Sequence, residues 1–253
     1  MSRTSFDVII RKFETRAELG PLEREALRSL PFRPVAFEPQ AYISREGERL
    51  QNVHLLLSGF AYRQKSLVDG ARQIIAVGIL GDFLDLECAL LEVADHNIQA
   101  LTRCEAAAIP RAAIDSLIMA HPVLARTMWT ETLVHGSVFR EWIANVGRRD
   151  ARSRLAHLLC EFARRLEVAG LSGEHAYELP MTQEQLADTL GLTPVHVNRV
   201  LKQLAREGLI EREKRFVRIL DWEALRRIAG FNEVYLHLKA GTVGVRPGRV
   251  GTL

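Results

Sequence analysis

Cysteine is scarce in this chain. Its 253 residues contain three cysteines, Cys88, Cys104 and Cys160, none in a Cys-x-x-Cys pair. That excludes a disulfide framework and a zinc knuckle. Free thiols packed as small apolar groups are the expectation. Long hydrophobic runs are also missing. None approaches the roughly 20 residues of a membrane span, so no membrane partner is expected. Met1 to Ile10 lacks the order of charged, apolar and small residues that marks a signal peptide, which points to a cytoplasmic location. No nucleophile–base constellation, phosphate loop or metal triad is legible. An enzyme is therefore not expected, and neither a cofactor nor a metal is called for.

Hydrophobic residues make up 47% and charged residues 26%, ordinary for a globular protein of one or two domains. The net charge of +3 says little until it is divided along the chain. Residues 1–147 carry 16 Lys and Arg against 18 Asp and Glu, and residues 148–239 carry 16 against 13. The mild basic excess lies in the C-terminal part, together with Arg246 and Arg249. This fits a DNA-reading module joined to a neutral one.

The pattern along the chain changes twice. Thr15–Ser29 reads as a helix with Leu19, Leu22, Ala26 and Leu27 on one face, ended by Pro31 and Pro34. From Phe37 to Ile109, short apolar runs are punctuated by glycine. Strands are predicted at Val53–Leu57, Ala61–Leu67, Gln73–Val77, Ile98–Leu101 and Ala106–Ile109, with a hairpin turn at Asp69-Gly70. Many short strands with regular turns suggest a small sandwich or barrel. After Pro110 the chain turns helical, and Pro122 starts a long helix to about Val146. On it Leu124, Met128, His135, Phe139, Trp142 and Val146 form an apolar stripe at helical spacing. Such a stripe packs on the chain's own strands or on a second copy of the chain. Gly147-Arg148-Arg149 marks a hinge, Ala151–Val168 a further helix, and Ala169–Ala176 a loop.

Residues 182–210 carry the clearest signal. Thr182 is an N-cap, and Gln185 three positions later completes a capping box. Leu186, Ala187 and Leu190 give the inner face of a first helix. Gly191 supplies a turn that needs positive φ. Thr193 caps a second helix, with Pro194 at its first position. Val197, Val200, Leu201 and Leu204 line its core face. This is a helix-turn-helix whose second helix enters the major groove of double-stranded DNA. Val195, His196, Asn198, Arg199 and Lys202 lie on or near the outer face. Arginine can pair with a guanine edge and asparagine with adenine. Glu211–Leu220, where basic and apolar residues mix, reads as a two-stranded wing with Arg215 available to phosphate.

With these residues in place, the chain resembles the Crp/Fnr family of bacterial transcription regulators from about Leu19 to Leu238. The markers are Arg45-Glu46-Gly47-Glu48, Leu56-Leu57-Ser58-Gly59, Asp69-Gly70, Gly81-Asp82-Phe83, the long helix and the winged helix. The resemblance implies an α+β fold. An N-terminal β-roll of the cyclic-nucleotide-binding type (a double-stranded β-helix, jelly-roll-like) is followed by a long dimerisation helix and a C-terminal winged helix-turn-helix. The expected division is 1–120 for the roll with its flanking helices, 121–147 for the dimerisation helix, 148–238 for the DNA-binding domain and 239–253 for a flexible tail. The resemblance also implies a homodimer on a palindromic operator, so the apolar stripe is expected to be the dimer seam. RNA polymerase is a further expected partner, and a small-molecule effector has no legible identity.

Departures from the family narrow the effector. Where the cyclic-AMP branch holds a glutamate for the ribose and an Arg-Ser clamp for the phosphate, the matching positions here are Leu86, Ala94 and Asp95. A carboxylate in a phosphate clamp repels its ligand, so cyclic-nucleotide binding is not expected. No cysteine precedes Cys88, so the N-terminal iron–sulfur cluster of the oxygen-sensing branch is not expected either. An alternative reading keeps a redox, haem or small-molecule sensor in the roll. It would use thiol oxidation at Cys88 or Cys104, or one of His54, His96, His121 and His135. In the recognition helix the family glutamate is replaced at Val195, while Arg199 matches the guanine-reading arginine.

Overall fold

The computed structural model describes residues 6–173 and 175–238. The expected tail, 239–253, lies outside the described residues. Two short helices, α1 (Asp7–Glu14) and α2 (Pro21–Arg28), open the chain. One helix over Thr15–Ser29 was the expectation, and the proline explains the difference. Pro21 has no N–H to continue a helix and instead takes the first position of α2, after Gly20 as its N-cap.

Seven strands follow: β1 (Arg33–Phe37), β2 (Tyr42–Ser44), β3 (Asn52–Ser58), β4 (Ala61–Ser66), β5 (Arg72–Gly78), β6 (Asn97–Ala100) and β7 (Cys104–Pro110). They form two antiparallel sheets, β1-β7-β3 and β2-β6-β4-β5. The five strands read from the sequence are all present, while β1 and β2 escaped notice because their alternation is weak. Gly59 turns β3 into β4 at φ +73°, and a Cβ there would sit 2.4 Å from the carbonyl of Arg103. Only glycine fits. Leu56, Ala61, Leu84, Ile98, Ala100 and Cys104 pack together inside the roll.

Helix α3 (Arg111–Ala120) leads into α4 (Pro122–Arg148), which starts on proline and spans 27 residues. Arg149 is extended, and Asp150 caps α5 (Ala151–Val168) by accepting from the N–H groups of Arg152 and Ser153. Then come β8 (Ala176–Glu178), α6 (Gln183–Leu190), α7 (Pro194–Arg206), β9 (Ile210–Glu213), β10 (Phe216–Ile219) and α8 (Trp222–Ala229). The wing is a three-stranded sheet in the order β8-β10-β9. Two strands are expected from the pattern, and the third, β8, is three residues long, too few to show a period.

Two apolar clusters explain where the helices sit. In one, Ile9, Phe13 and Leu27 of α1 and α2 pack with Val53, Leu55 and Ile109 of the first sheet, and with Leu124 and Met128 of α4. In the other, Tyr62, Ile74 and Val77 on the outer face of the β4–β5 hairpin share a core with α5, α6, α7 and Trp142 of α4. The hairpin is thus joined to the helix-turn-helix by buried apolar surface, a non-directional attraction of about 25 cal/mol per Å². After α8 a 3-10 turn, Glu233–Leu236, returns to α4, where Arg16, in the turn after α1, donates to the carbonyl of Leu236 at 3.2 Å.

Candidate nucleic-acid interface

The helix-turn-helix is built from local signals. Thr182 accepts from the Gln185 N–H at 3.1 Å, and the Gln185 side chain accepts from the Thr182 N–H at 2.9 Å. This reciprocal box starts α6. Gly191 ends it in the left-handed region at φ +62°. The hydroxyl of Thr193 accepts from the His196 N–H at 3.2 Å and starts α7. Thr182 and Thr193, both expected at the DNA surface, are exposed, and their hydroxyls act as caps.

Helix α7 separates two faces. Val197, Val200, Leu201 and Leu204 are buried. Val195, Arg199, Lys202 and Arg206 are exposed at spacings of four, three and four, which places them in one stripe on the opposite side. His196 and Asn198 flank the stripe and are half-buried. Arg206 was missed in the sequence reading, although its place four residues after Lys202 was a legible signal. Arg215 is exposed at the turn between β9 and β10, beside Lys214 at φ +52°. Arg152 pairs with Glu207, and Arg218 lies 3.9 Å from Glu211. Arg199, Lys202, Arg206 and Arg215 are in no ion pair among the described residues. They form a cationic surface free to meet phosphate and base edges.

Helix α4 divides the expected seam between buried and half-buried positions. Leu124 and Met128 are buried against the roll, and Trp142 against α5, where its indole N–H donates to Glu161 at 2.9 Å. His135, Phe139 and Val146 are half-buried on the same inward side. The stripe expected to form the dimer seam is covered by the chain itself and has little apolar area left to offer. The most exposed large apolar residues of α4 are Trp129, Leu133 and Ile143, at 68%, 58% and 72% exposure, with Val123 in its first turn less so. At about 100° per residue Trp129, Leu133 and Ile143 lie on the opposite side of the helix.

Comparison with known proteins places this geometry. Residues 34–121 match the cyclic nucleotide-binding domain, and residues 153–228 match the Crp-like helix-turn-helix domain. The transcriptional activatory protein AadR of Rhodopseudomonas palustris is 32% identical over 206 residues, which span 81% of this chain and 84% of AadR. The chain belongs to the Crp/Fnr family of transcription regulators. This Crp/Fnr regulator is also 29% identical to the transcriptional activator protein FnrL of Cereibacter sphaeroides, over 73% of its own length and 75% of that protein. Among solved structures it is similar to FixK2 from Bradyrhizobium japonicum, with a TM-score of 0.73 and 25% identity. That match spans 79% of this chain and 98% of FixK2.

Within this Crp/Fnr regulator the roll interior is occupied by its own side chains. Arg63 on β4 is buried. Its Nε donates to the carbonyl of Leu84 at 2.8 Å, and a terminal N–H donates to that of Phe83 at 3.2 Å. The guanidinium also lies 3.8 Å from Glu87 and 6.0 Å from the centre of the Phe139 ring. Leu86 and Ala94 are buried, and the Asp95 carboxylate is exposed beside His96 at 2.6 Å. The three cysteines are buried. Burial pushes the Cys88 and Cys160 thiols up to about 12 and Cys104 up to about 11, away from the reactive thiolate range. That removes the support for thiol oxidation at Cys88 or Cys104. Of the histidines, His54 is held by Asp85 at 2.6 Å and His135 lies 3.5 Å from Arg63. Among the described residues no group of three or more His, Cys, Asp or Glu is placed to hold a metal ion, and no helix is long and apolar enough to cross a membrane.

Proposed function

We propose that this regulator works as a homodimer that places two copies of α7 in successive major grooves of a palindromic operator. The observation that carries the reading is the stripe of Val195, Arg199, Lys202 and Arg206, exposed opposite the buried Val197, Val200, Leu201 and Leu204. Arg199 is the guanine-reading residue, Val195 offers an apolar contact to a thymine methyl, and His196 and Asn198 add flanking contacts. Lys202 and Arg215 hold phosphate. The dimer forms along the outer side of α4. Trp129, Leu133, Gly136, Arg140 and Ile143 recur at spacings of four, three, four and three, the heptad pattern of a two-helix seam.

The proposed division is a sensor roll with flanking helices over 1–120, a dimerisation helix over 121–147 and a reader over 148–238. RNA polymerase is the partner through which a bound dimer alters transcription, and the setting is the cytoplasm. Selection of sites from random DNA by the full chain, followed by footprinting, tests the reading. A palindrome with half-sites about ten base pairs apart supports it, and a single unpaired site sinks it.

A further inference from the structure

A cavity of about 1520 Å³ opens between α1, the β4–β5 hairpin, α4 and α5, and reaches Arg63, Phe83 and Leu84 of the roll. Its walls are apolar where Val8, Ile79, Val134, Val138 and Leu171 meet. Its polar end lies on α1. Lys12 reaches Asp82 and also Glu131 at 3.2 Å, and Arg16 donates to Glu131 at 2.6 Å. Arg165 of α5 meets Asp82 from the other side at 3.1 Å. Arg11 stands exposed at the rim, in no ion pair among the described residues. Lysine and arginine outnumber carboxylates in the lining by five to three. A low-dielectric wall beside surplus cations focuses a positive potential. His135, which lines the cavity, reports that surrounding. Burial first, then Arg63 and Lys12, push its pKa down to about 3, so the imidazole is neutral and adds no charge.

We propose that this cavity binds an amphipathic organic anion, with its carboxylate or like head on Arg11, Lys12 and Arg16 and its apolar body against Val8, Val134 and Val138. At about 1520 Å³ the cavity is larger than one such ligand, which fills the part between α1 and α4. Sites for small molecules run to about 300–1,000 Å³, with mostly apolar walls and a few convergent polar groups. The location also matters. Trp129, Leu133 and Ile143 lie on the other side of α4, so a second copy seated there leaves the cavity open. A molecule in it touches α1, β5 and α4 on one side and α5 of the reader on the other. It therefore favours the arrangement that holds these elements together over one that parts them. That consequence for DNA rests on the proposed function, whereas binding itself does not.

The test uses the full chain without DNA, so failure of the DNA reading leaves it intact. Decanoate is titrated by calorimetry, with decylamine as the probe of opposite charge. Decanoate is expected to bind once per chain in the submillimolar range, at least ten-fold tighter than decylamine. Arg11→Glu, at an exposed position, is expected to weaken it at least five-fold, and Arg11→Lys less than two-fold. Val8→Trp, which fills the apolar wall, is expected to weaken decanoate again. Equal affinity for the two probes overturns the proposal, as does binding unmoved by both Arg11→Glu and Val8→Trp, or uptake of several decanoates per chain.

Discussion

Arg72 on β5 and Asp188 on α6 form a forked ion pair between the sensor hairpin and the helix-turn-helix. The Arg72 Nε donates to Asp188 at 2.8 Å, and a terminal N–H donates to the same oxygen. Beside it the Gln73 side chain donates to the carbonyl of Thr189 at 3.1 Å. Asp188 therefore fastens the first helix of the reader to the roll. Arg72→Ala and Asp188→Ala are each expected to lower stability by about 0.5–1 kcal/mol, because both groups keep partial contact with water. In a double-mutant cycle followed by urea unfolding, the double variant should lose less than the sum of the two. Additive losses would show that the pair is not coupled.

The dimer seam has a direct test. Leu133→Glu places a charge on the outer side of α4 and is expected to give monomers at micromolar concentration in sedimentation equilibrium. Trp142→Ala removes a buried ring and leaves Glu161 without one donor, so it should cost about 3–5 kcal/mol of stability by acting on the fold. If Leu133→Glu stays dimeric, the seam lies elsewhere on the chain.

Recognition and attraction separate at Arg199 and Arg215. Arg199→Ala is expected to cost about 1–3 kcal/mol per half-site and to flatten preference at one base pair. Arg215→Ala is expected to weaken all sequences alike and to reduce the salt slope by about one per contact. The measurement is binding of both variants to the selected operator and to single-base changes of it, at two salt concentrations. Should Arg199→Ala weaken every sequence equally, the specific contacts pass to His196 or Asn198.

Acid stability should depend on His157, buried on α5 against the ring of Tyr235 and 3.2 Å from Glu141, which is held by Arg149. Burial, aided by Arg149, pushes its pKa down from 6.5 to about 3. Between those values the unfolded chain binds the proton and the folded chain does not. Stability is therefore full above about pH 6.5 and falls as the pH is lowered toward 3, by roughly 1 kcal/mol per pH unit. Glu161, raised by burial, acts in the opposite sense through its own titration. His157→Phe should flatten the decline of the urea midpoint between pH 6.5 and 5. An unchanged decline would place the acid sensitivity elsewhere, with His135 the next group to replace.

The two helices of the helix-turn-helix were legible, because their signals are local. A cap, a glycine in the left-handed region and a proline at a first helical position act within one turn of chain: Thr182 with Gln185, Gly191, and Thr193 with Pro194. Five of the seven strands of the roll were legible for the same reason, and so was the length of α4 from Pro122. Which side of α4 faces the protein was not. Its sequence carries two stripes at helical spacing, one through Leu124, Met128 and Trp142 and one through Trp129, Leu133 and Ile143. Periodicity places each stripe on one face of a helix without saying what that face meets. Only the tertiary structure decided it, because burial belongs to contacts far apart in the chain. The roll and α5 cover the first stripe and leave the second in water. Arg72 and Asp188 are likewise 116 residues apart, and nothing local to either one foretold their meeting.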